Sequence, residues 1–310
     1  MPRQPADQHT STVLKPNDFD QFWDDVMDQV KSIPLDASIA HIPLRSTAEI
    51  DVYEVHYTSL DEIRIAGRYC VPKNYPRPLP AILHVPGYLM EPPIPKNWAR
   101  KGYAAFSAAP RGKLRSHHQF NPGYPGLLTH NINDPNTYTY RGFYADACRA
   151  IDFLIEREEV DGTRIGVTGH SQGGGLTIST SALRPQIKAA SAGAPYLCGF
   201  MDSIQLTSTY PYQEIANYLR LHPEQRSAVE KSVSYFDGVN LATKVTCPII
   251  VSLGLQDNVC PPETGYSLFE AISSKDKNLY AYDGHGHDAG QFNHAAIIDS
   301  FFAKHLGPGE

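Results

Sequence analysis

Residues 164–176 read RIGVTGHSQGGGL. The run Arg164–Thr168 has strand character, and GGLTISTSAL at 174–183 has helix character. Between them lies Gly169-His170-Ser171-Gln172-Gly173, a G-x-S-x-G match. The bare pattern is weak, because short Gly/Ser loops are common. Its setting carries the information. Strand, sharp turn and helix in this order make a nucleophile elbow, which holds a serine in a strained conformation. Small residues two before and two after the serine let strand and helix approach closely. The helix N-terminus then favours negative charge beside the serine.

The flanking sequence repeats the strand theme. PAILHVPG (80–87), GYAAFSAAPRG (102–112), IKAASAGAP (187–195), PIIVSLGLQD (248–257) and KNLYAYDGHG (277–286) are short, largely apolar runs. Such runs suit strands buried on both faces of a parallel sheet. Helix-like segments lie between them, at about 138–157, 172–184, 262–274 and 293–305. This alternation predicts right-handed crossovers and an α/β fold with a mostly parallel central sheet and flanking helices. Upstream, IDVYEVHYTSLDEIRIAGRYCVP (50–72) reads as two strands around a turn at Ser59–Glu62, a hairpin. NDFDQFWDDVMDQV (17–30) reads as an amphipathic helix burying Phe19, Phe22, Trp23, Val26, Met27 and Val30, with Asn17 or Asp18 as its cap. About 196–246 lacks a core-strand signature. It is polar and helix-like, with breaks at Pro211 and Pro223. It reads as a helical cap insertion over the carboxyl edge of the sheet, where α/β ligand sites lie. Residues 1–310 are expected to form a single domain.

Bulk properties narrow the function. The chain has 310 residues, 41% hydrophobic and 19% charged, which suits a globular protein with a full core. The net charge of −6 implies no basic face, so nucleic acid is not expected as a partner. No apolar run approaches the roughly 18 residues of a membrane span. MPRQPADQHTSTVLKP at the start lacks an apolar core for a secretory signal, so a cytoplasmic location is expected. The five cysteines are widely spaced with no C-x-x-C pair, and are expected to be buried free thiols.

An elbow makes demands elsewhere in the chain. It needs an oxyanion hole, an acid and a base, the last two following the serine in that order. One oxyanion donor is the backbone N–H after the serine, that of Gln172. The second comes from the loop after an early strand, where Gly87 permits a tight turn and Tyr88 or Leu89 can present an N–H. Asp257 closely follows a predicted buried strand, on the same sheet edge as the elbow. Asp237 competes, but it lies in a Gly-containing turn and suits turn formation. The base lies in YAYDGHGHDAGQF (280–292), which offers His285 and His287 beside Asp283 and Asp288. His285, His287 and Asp288 also have the residue types of a zinc site, and H-x-H on a strand points both rings one way. The serine elbow already accounts for one of these rings. No metal and no organic cofactor is expected.

Longer motifs carry a resemblance. DFDQFW near the start, PRG at 110–112, YPGLLT, DPNTYTYRGFYADACRAID, GHSQGGG, PYQEIANYLR, SYFDGVN and GLQDNVCPP span nearly the whole chain. With them the sequence resembles carbohydrate esterase family seven, the acetyl xylan esterases and cephalosporin C deacetylases. The resemblance implies an α/β-hydrolase fold and a serine triad. It places Ser171 as nucleophile, Asp257 as acid, and the N–H groups of Tyr88 and Gln172 as oxyanion donors. Aligned through LYAYDGH, it selects His285 as base and leaves His287 as the reserve. Arg111 and Gly112 match a family Arg-Gly-Gln motif and are implied to brace the site, with Lys113 in place of the Gln. Gly286 stands where the family's His is followed by Glu. The stretch 111–124 is shorter than in typical members and carries His117 and His118, expected at the rim of the site or at oligomer contacts. A hexameric ring of subunits is a further implication.

The expected reaction is hydrolysis of small acyl esters, acetyl above all, on carbohydrates or cephalosporin-like compounds. Ser171 attacks, the histidine moves the proton, and water clears the acyl-enzyme. The expected partner is a small acetylated molecule. Two other readings share the same residues: a peptidase or lipase-like serine hydrolase, and a non-catalytic ligand-binding protein on the hydrolase fold.

Overall fold

The computed structural model describes residues 5–307. Nine strands form one sheet in the order β1-β2-β3-β5-β4-β6-β7-β8-β9. They are β1 (Ser38–His41), β2 (Ile50–Thr58), β3 (Arg64–Pro72), β4 (Leu79–Val85), β5 (Ala104–Ala109), β6 (Val160–His170), β7 (Ile187–Gly193), β8 (Ile249–Gly254) and β9 (Lys277–Tyr282). From β5 to β9 every neighbouring pair is parallel. The hairpin read from residues 50–72 is present, with Ile50 opposite Pro72, and β3 joins the parallel part antiparallel to β5. The sheet is thus mostly parallel, with helices on both sides, which is the expected fold class. Strand β1 escapes the sequence reading. All four of its residues are exposed, so it shows neither an apolar run nor an alternation.

The helices are α1 (Phe19–Ser32), α2 (Lys96–Ala99), α3 (Thr139–Ile155), α4 (Gln172–Leu183), α5 (Phe200–Leu206), α6 (Tyr212–Leu221), α7 (Arg226–Ser234), α8 (Gly238–Ala242), α9 (Pro262–Ala271) and α10 (Gln291–Leu306). On α1 the residues Phe19, Trp23, Val26, Met27 and Val30 are buried, as their spacing predicts, and Phe22 is half-buried. The expected cap is absent: Asp18 makes no capping bond. Its carboxylate instead accepts a hydrogen bond from the Tyr235 hydroxyl at 2.6 Å. The Trp23 indole N–H donates to the Tyr235 carbonyl at 2.8 Å. These two bonds tie α1 to the segment after α7.

Helices α5 to α8 occupy the interval read as an insertion, between β7 and β8. Asp237, the competing acid candidate, is buried here and accepts from the N–H groups of Gly199, Phe200 and Val239 at 2.9–3.0 Å. It caps α8 and ties it to α5. Burial pushes its carboxyl up to about 6. The cysteines at 70, 148, 198 and 260 are buried, Cys247 is half-buried, and all five are free thiols. Among the described residues no helix is long and apolar enough to cross a membrane.

Two histidines make the fold acid-sensitive. Burial holds His84 on β4 and His294 on α10 at about 4, against an ordinary 6.5. The unfolded chain takes up these protons before the folded chain does. Stability is therefore full above pH 6.5 and is lost as pH falls toward 4. At about 1.4 kcal/mol per unit, the His84 ring alone removes on the order of 3 kcal/mol. Urea unfolding followed by circular dichroism should show a falling midpoint across this window. His84→Gln should flatten that fall, and a slope identical to wild type would contradict the assignment.

Candidate active site

The elbow forms as the local sequence dictates. Ser171 joins β6 to α4 with φ 60° and ψ −120°, a conformation that side chains rarely adopt. Backbone bonds hold it there. Its N–H donates to the Gly193 carbonyl at 2.9 Å, and its carbonyl accepts from Tyr196 and Gly175 at 3.0 and 3.1 Å. Glycine is required at two flanking positions. A Cβ at Gly169 would collide with the backbone of Gly173, and one at Gly173 with the carbonyl of Val85. The strain at Ser171 is thus fixed by the packing of β4, β6 and α4.

The loop after β4 lies against the elbow. Gly173 meets Val85 and Pro86, and Gly87 faces the His170 carbonyl. As first residue of α4, Gln172 has an N–H that the helix cannot use. Its buried side chain donates to the Tyr140 hydroxyl at 2.7 Å. Among the described residues the Tyr88 N–H has no hydrogen-bond acceptor. The Tyr88 ring is anchored elsewhere. Its hydroxyl donates to Glu214 on α6 at 2.8 Å and accepts from the Leu128 N–H at 3.1 Å. The second Glu214 oxygen accepts from the Gly126 N–H at 2.8 Å. Burial raises the Glu214 carboxyl above its ordinary value. Helix α6 thus reaches the loop that carries Tyr88.

Asp257 lies just past β8, and its carboxylate is almost wholly buried. One oxygen accepts from the N–H groups of Val259 and Cys260 at 2.8 and 2.9 Å. The other accepts from Nδ1 of His287 at 2.8 Å. This corrects the expectation for His285. Nδ1 of His285 bonds instead to Asp288, at 2.6 Å and three residues on, outside the elbow. The physical reason is the path of the loop after β9. Gly254 at the end of β8 leaves room for the carbonyls of His285 and Gly286, so the chain folds over it. That path brings the second ring, not the first, to Asp257. His170, beside the serine, completes the seat: its Nε2 bonds to the His287 carbonyl at 2.6 Å. The two imidazole rings stand 5.2 Å apart, edge to face. Burial, then the neighbouring His287, lowers the His170 ring below its ordinary value. Asp283 accepts from the Gln256 side chain at 2.9 Å, a turn role.

Sequence reasoning missed Cys260. Burial raises its thiol well above an ordinary one. Donor atoms of Asp257, Cys260 and His287 all lie within 4.8 Å of one another. This is the one metal-type donor group among the described residues, and it differs from the set of His285, His287 and Asp288. Within it, Asp257 and His287 already satisfy each other. The only sequence signal was the spacing Asp257-x-x-Cys260 after a buried strand.

Arg111, just past β5, ties α3 to the turn at residues 60–61. Its guanidinium grips the buried Asp146 carboxylate through two bonds of 2.9 Å, and its N–H adds a third at 2.9 Å. Further bonds reach the Leu60 carbonyl at 2.8 Å and Asp61 at 3.1 Å. Gly112 then turns the chain at φ 80°. His117 and His118 stack at 4.7 Å, and both lie toward the surface. A cavity of about 670 Å³ lies between residues 12–18 and α7 and is lined by none of the elbow residues. A smaller one of about 180 Å³ is lined by Tyr88, Lys113, Asn121 and Tyr124 and adjoins the loop beside the serine.

The parallel sheet, the elbow and the aspartate–histidine pair at its carboxyl edge define an α/β-hydrolase. Comparison with known proteins narrows the class. The acetyl xylan esterase (AXE1) family profile matches residues 1–305, and the chain belongs to that family. An acetyl xylan esterase from a Paenibacillus species superposes with a TM-score of 0.90 at 33% identity, covering 99% of this chain and 100% of that one. Acetyl xylan esterase 1 from a Thermoanaerobacterium species gives 0.87 at 25% identity, covering 98% of each. The acetyl esterase of Xylanibacter ruminicola is 28% identical over 282 residues, or 85% of this chain. This chain spans 62% of the length of that relative.

Proposed function

We propose that this protein is a serine esterase that removes acetyl groups from carbohydrate esters, with a cephalosporin-type leaving group as a second substrate class. The observation that carries the reading is the His287–Asp257 bond beside the strained serine. Ser171 is the nucleophile. His287 takes its proton as general base and returns it to the departing alcohol. Asp257, held by two backbone N–H groups, fixes the tautomer with Nδ1 protonated and stabilises the imidazolium. That tautomer leaves Nε2 of His287 to accept the serine proton. The N–H groups of Gln172 and Tyr88 receive the oxyanion, each worth about 3 kcal/mol in the transition state. Water then attacks the acyl-enzyme by the same route. No step calls for a metal or an organic cofactor.

The size of the acyl group is the testable part. A cavity of about 180 Å³ lies beside Tyr88, and the acetyl esterases among the relatives support a small acyl group. A panel of acetyl, propionyl, butyryl and octanoyl esters should show kcat/KM falling steeply with chain length. Equal rates for acetyl and octanoyl esters would sink the small-acyl assignment. Homo-oligomer formation belongs to the same proposal. It is supported by the exposed Leu89, Met90, Leu114 and Tyr124 on the two loops around that cavity.

A further inference from the structure

Lys113 stands where the resemblance expects glutamine, and its side chain is buried. Its Nζ donates to the Gly87 carbonyl at 2.6 Å and also to the Tyr88 carbonyl. Among the described residues the only backbone bond to the Gly87 carbonyl is a longer one, from the Met90 N–H at 3.3 Å. The Gly87 carbonyl and the Tyr88 N–H belong to one planar trans peptide, so they point in opposite directions. An anchor on the carbonyl therefore sets the direction of the N–H. Gly87 has room around it: a Cβ there would meet nothing nearer than the Met90 sulfur at 3.5 Å. Packing alone therefore does not stop that peptide from turning. We propose that Lys113 is a positioning residue that clamps the Gly87–Tyr88 peptide and aims the Tyr88 N–H at the oxyanion. The proposal rests on the esterase reading given above.

The clamp is sensitive to pH. Burial lowers the Lys113 amine to about 7, opposed by the nearby Glu91 carboxylate. Glu91 is shared with Arg115, whose Nε lies 2.7 Å from it. The other groups near Lys113 are turned away: Arg111 is bound to Asp146, and the Tyr88 hydroxyl to Glu214. Tyr124 lines the same cavity, with its phenol raised by burial. Below about pH 7 the clamp is an ammonium, which makes charge-assisted bonds about twice as strong as neutral ones. Above that pH this added strength fades.

The test compares wild type, Lys113→Met and Lys113→Gln in the full chain. Turnover of 4-nitrophenyl acetate is measured across the neutral range. Lys113→Met should lose about 10- to 100-fold in kcat with little change in KM, part of the effect of losing a whole oxyanion donor. Lys113→Gln, whose amide can donate to the same carbonyls, should recover most of that loss. Both variants should lack the decline in kcat that wild type shows as pH rises through neutrality. Equal kcat and unchanged pH profiles in both variants would overturn the proposal, as would an equal loss in both with the decline intact. NMR provides a readout independent of turnover. The Tyr88 amide resonance should shift with the titration of Lys113 in wild type, and not in Lys113→Gln. A Tyr88 amide that ignores the titration also overturns the proposal. Failure of the esterase reading looks different: wild type itself would show no turnover while the amide response persists.

Discussion

Ser171→Ala should lose about a million-fold in kcat for acetyl esters and should no longer be labelled by a fluorophosphonate. The size of the effect follows from the geometry. The serine is held at φ 60° by three backbone bonds and by glycines that admit no side chain. The Cys260 thiol does not replace it, because burial raises that thiol well above its ordinary value and keeps it protonated and so non-nucleophilic. The substitution removes one oxygen and leaves the backbone bonds intact, so the variant should fold. Intact-mass spectrometry after probe treatment gives the answer directly. An adduct on the alanine variant at the wild-type rate would move the nucleophile elsewhere.

The second large effect separates two histidines that lie two residues apart. His287→Ala should cost as much as the loss of the serine, because members of such a triad act as a unit. Asp257→Asn should cost about ten-thousand-fold by favouring the wrong tautomer. His285→Ala should retain most activity, since its ring is engaged with Asp288 rather than Asp257. Steady-state kinetics on these three variants, with circular dichroism as a folding control, decide the matter. If His285→Ala were inactive and His287→Ala active, the pairing with Asp257 would not be the catalytic one.

The contrast between these residues shows what the sequence could reveal. The elbow was legible because its constraints are local. A strand, small residues around a serine, and a helix leave little freedom in the turn. Asp257 was legible because it follows a buried strand closely, and strand ends share one edge of a parallel sheet. The histidine that pairs with Asp257 was not fixed in the same way. Between β9 and α10 the chain passes Gly284, Gly286 and Gly290, and it has no periodicity to set a register. Which ring reaches Asp257 depends on how the loop folds over Gly254, a contact across strands that no local pattern encodes. The same reason hid Cys260, and the absence of burial hid β1. The Asp18 cap failed for a related reason: a local rule met a tertiary competitor in the Tyr235 hydroxyl.

The sheet order has a last consequence, for the way the site fails. Ser171 follows β6, which pairs on both sides with β4 and β7. The loop bearing His287 follows β9, which ends the sheet and pairs only with β8. Edge elements open at lower free energy than the strands they flank. On the proposed roles, fraying at that edge would detach the proton carrier while the nucleophile stays seated in the interior. Inactivation on warming should then begin as a reversible loss of the base, with the rest of the sheet still closed around the serine.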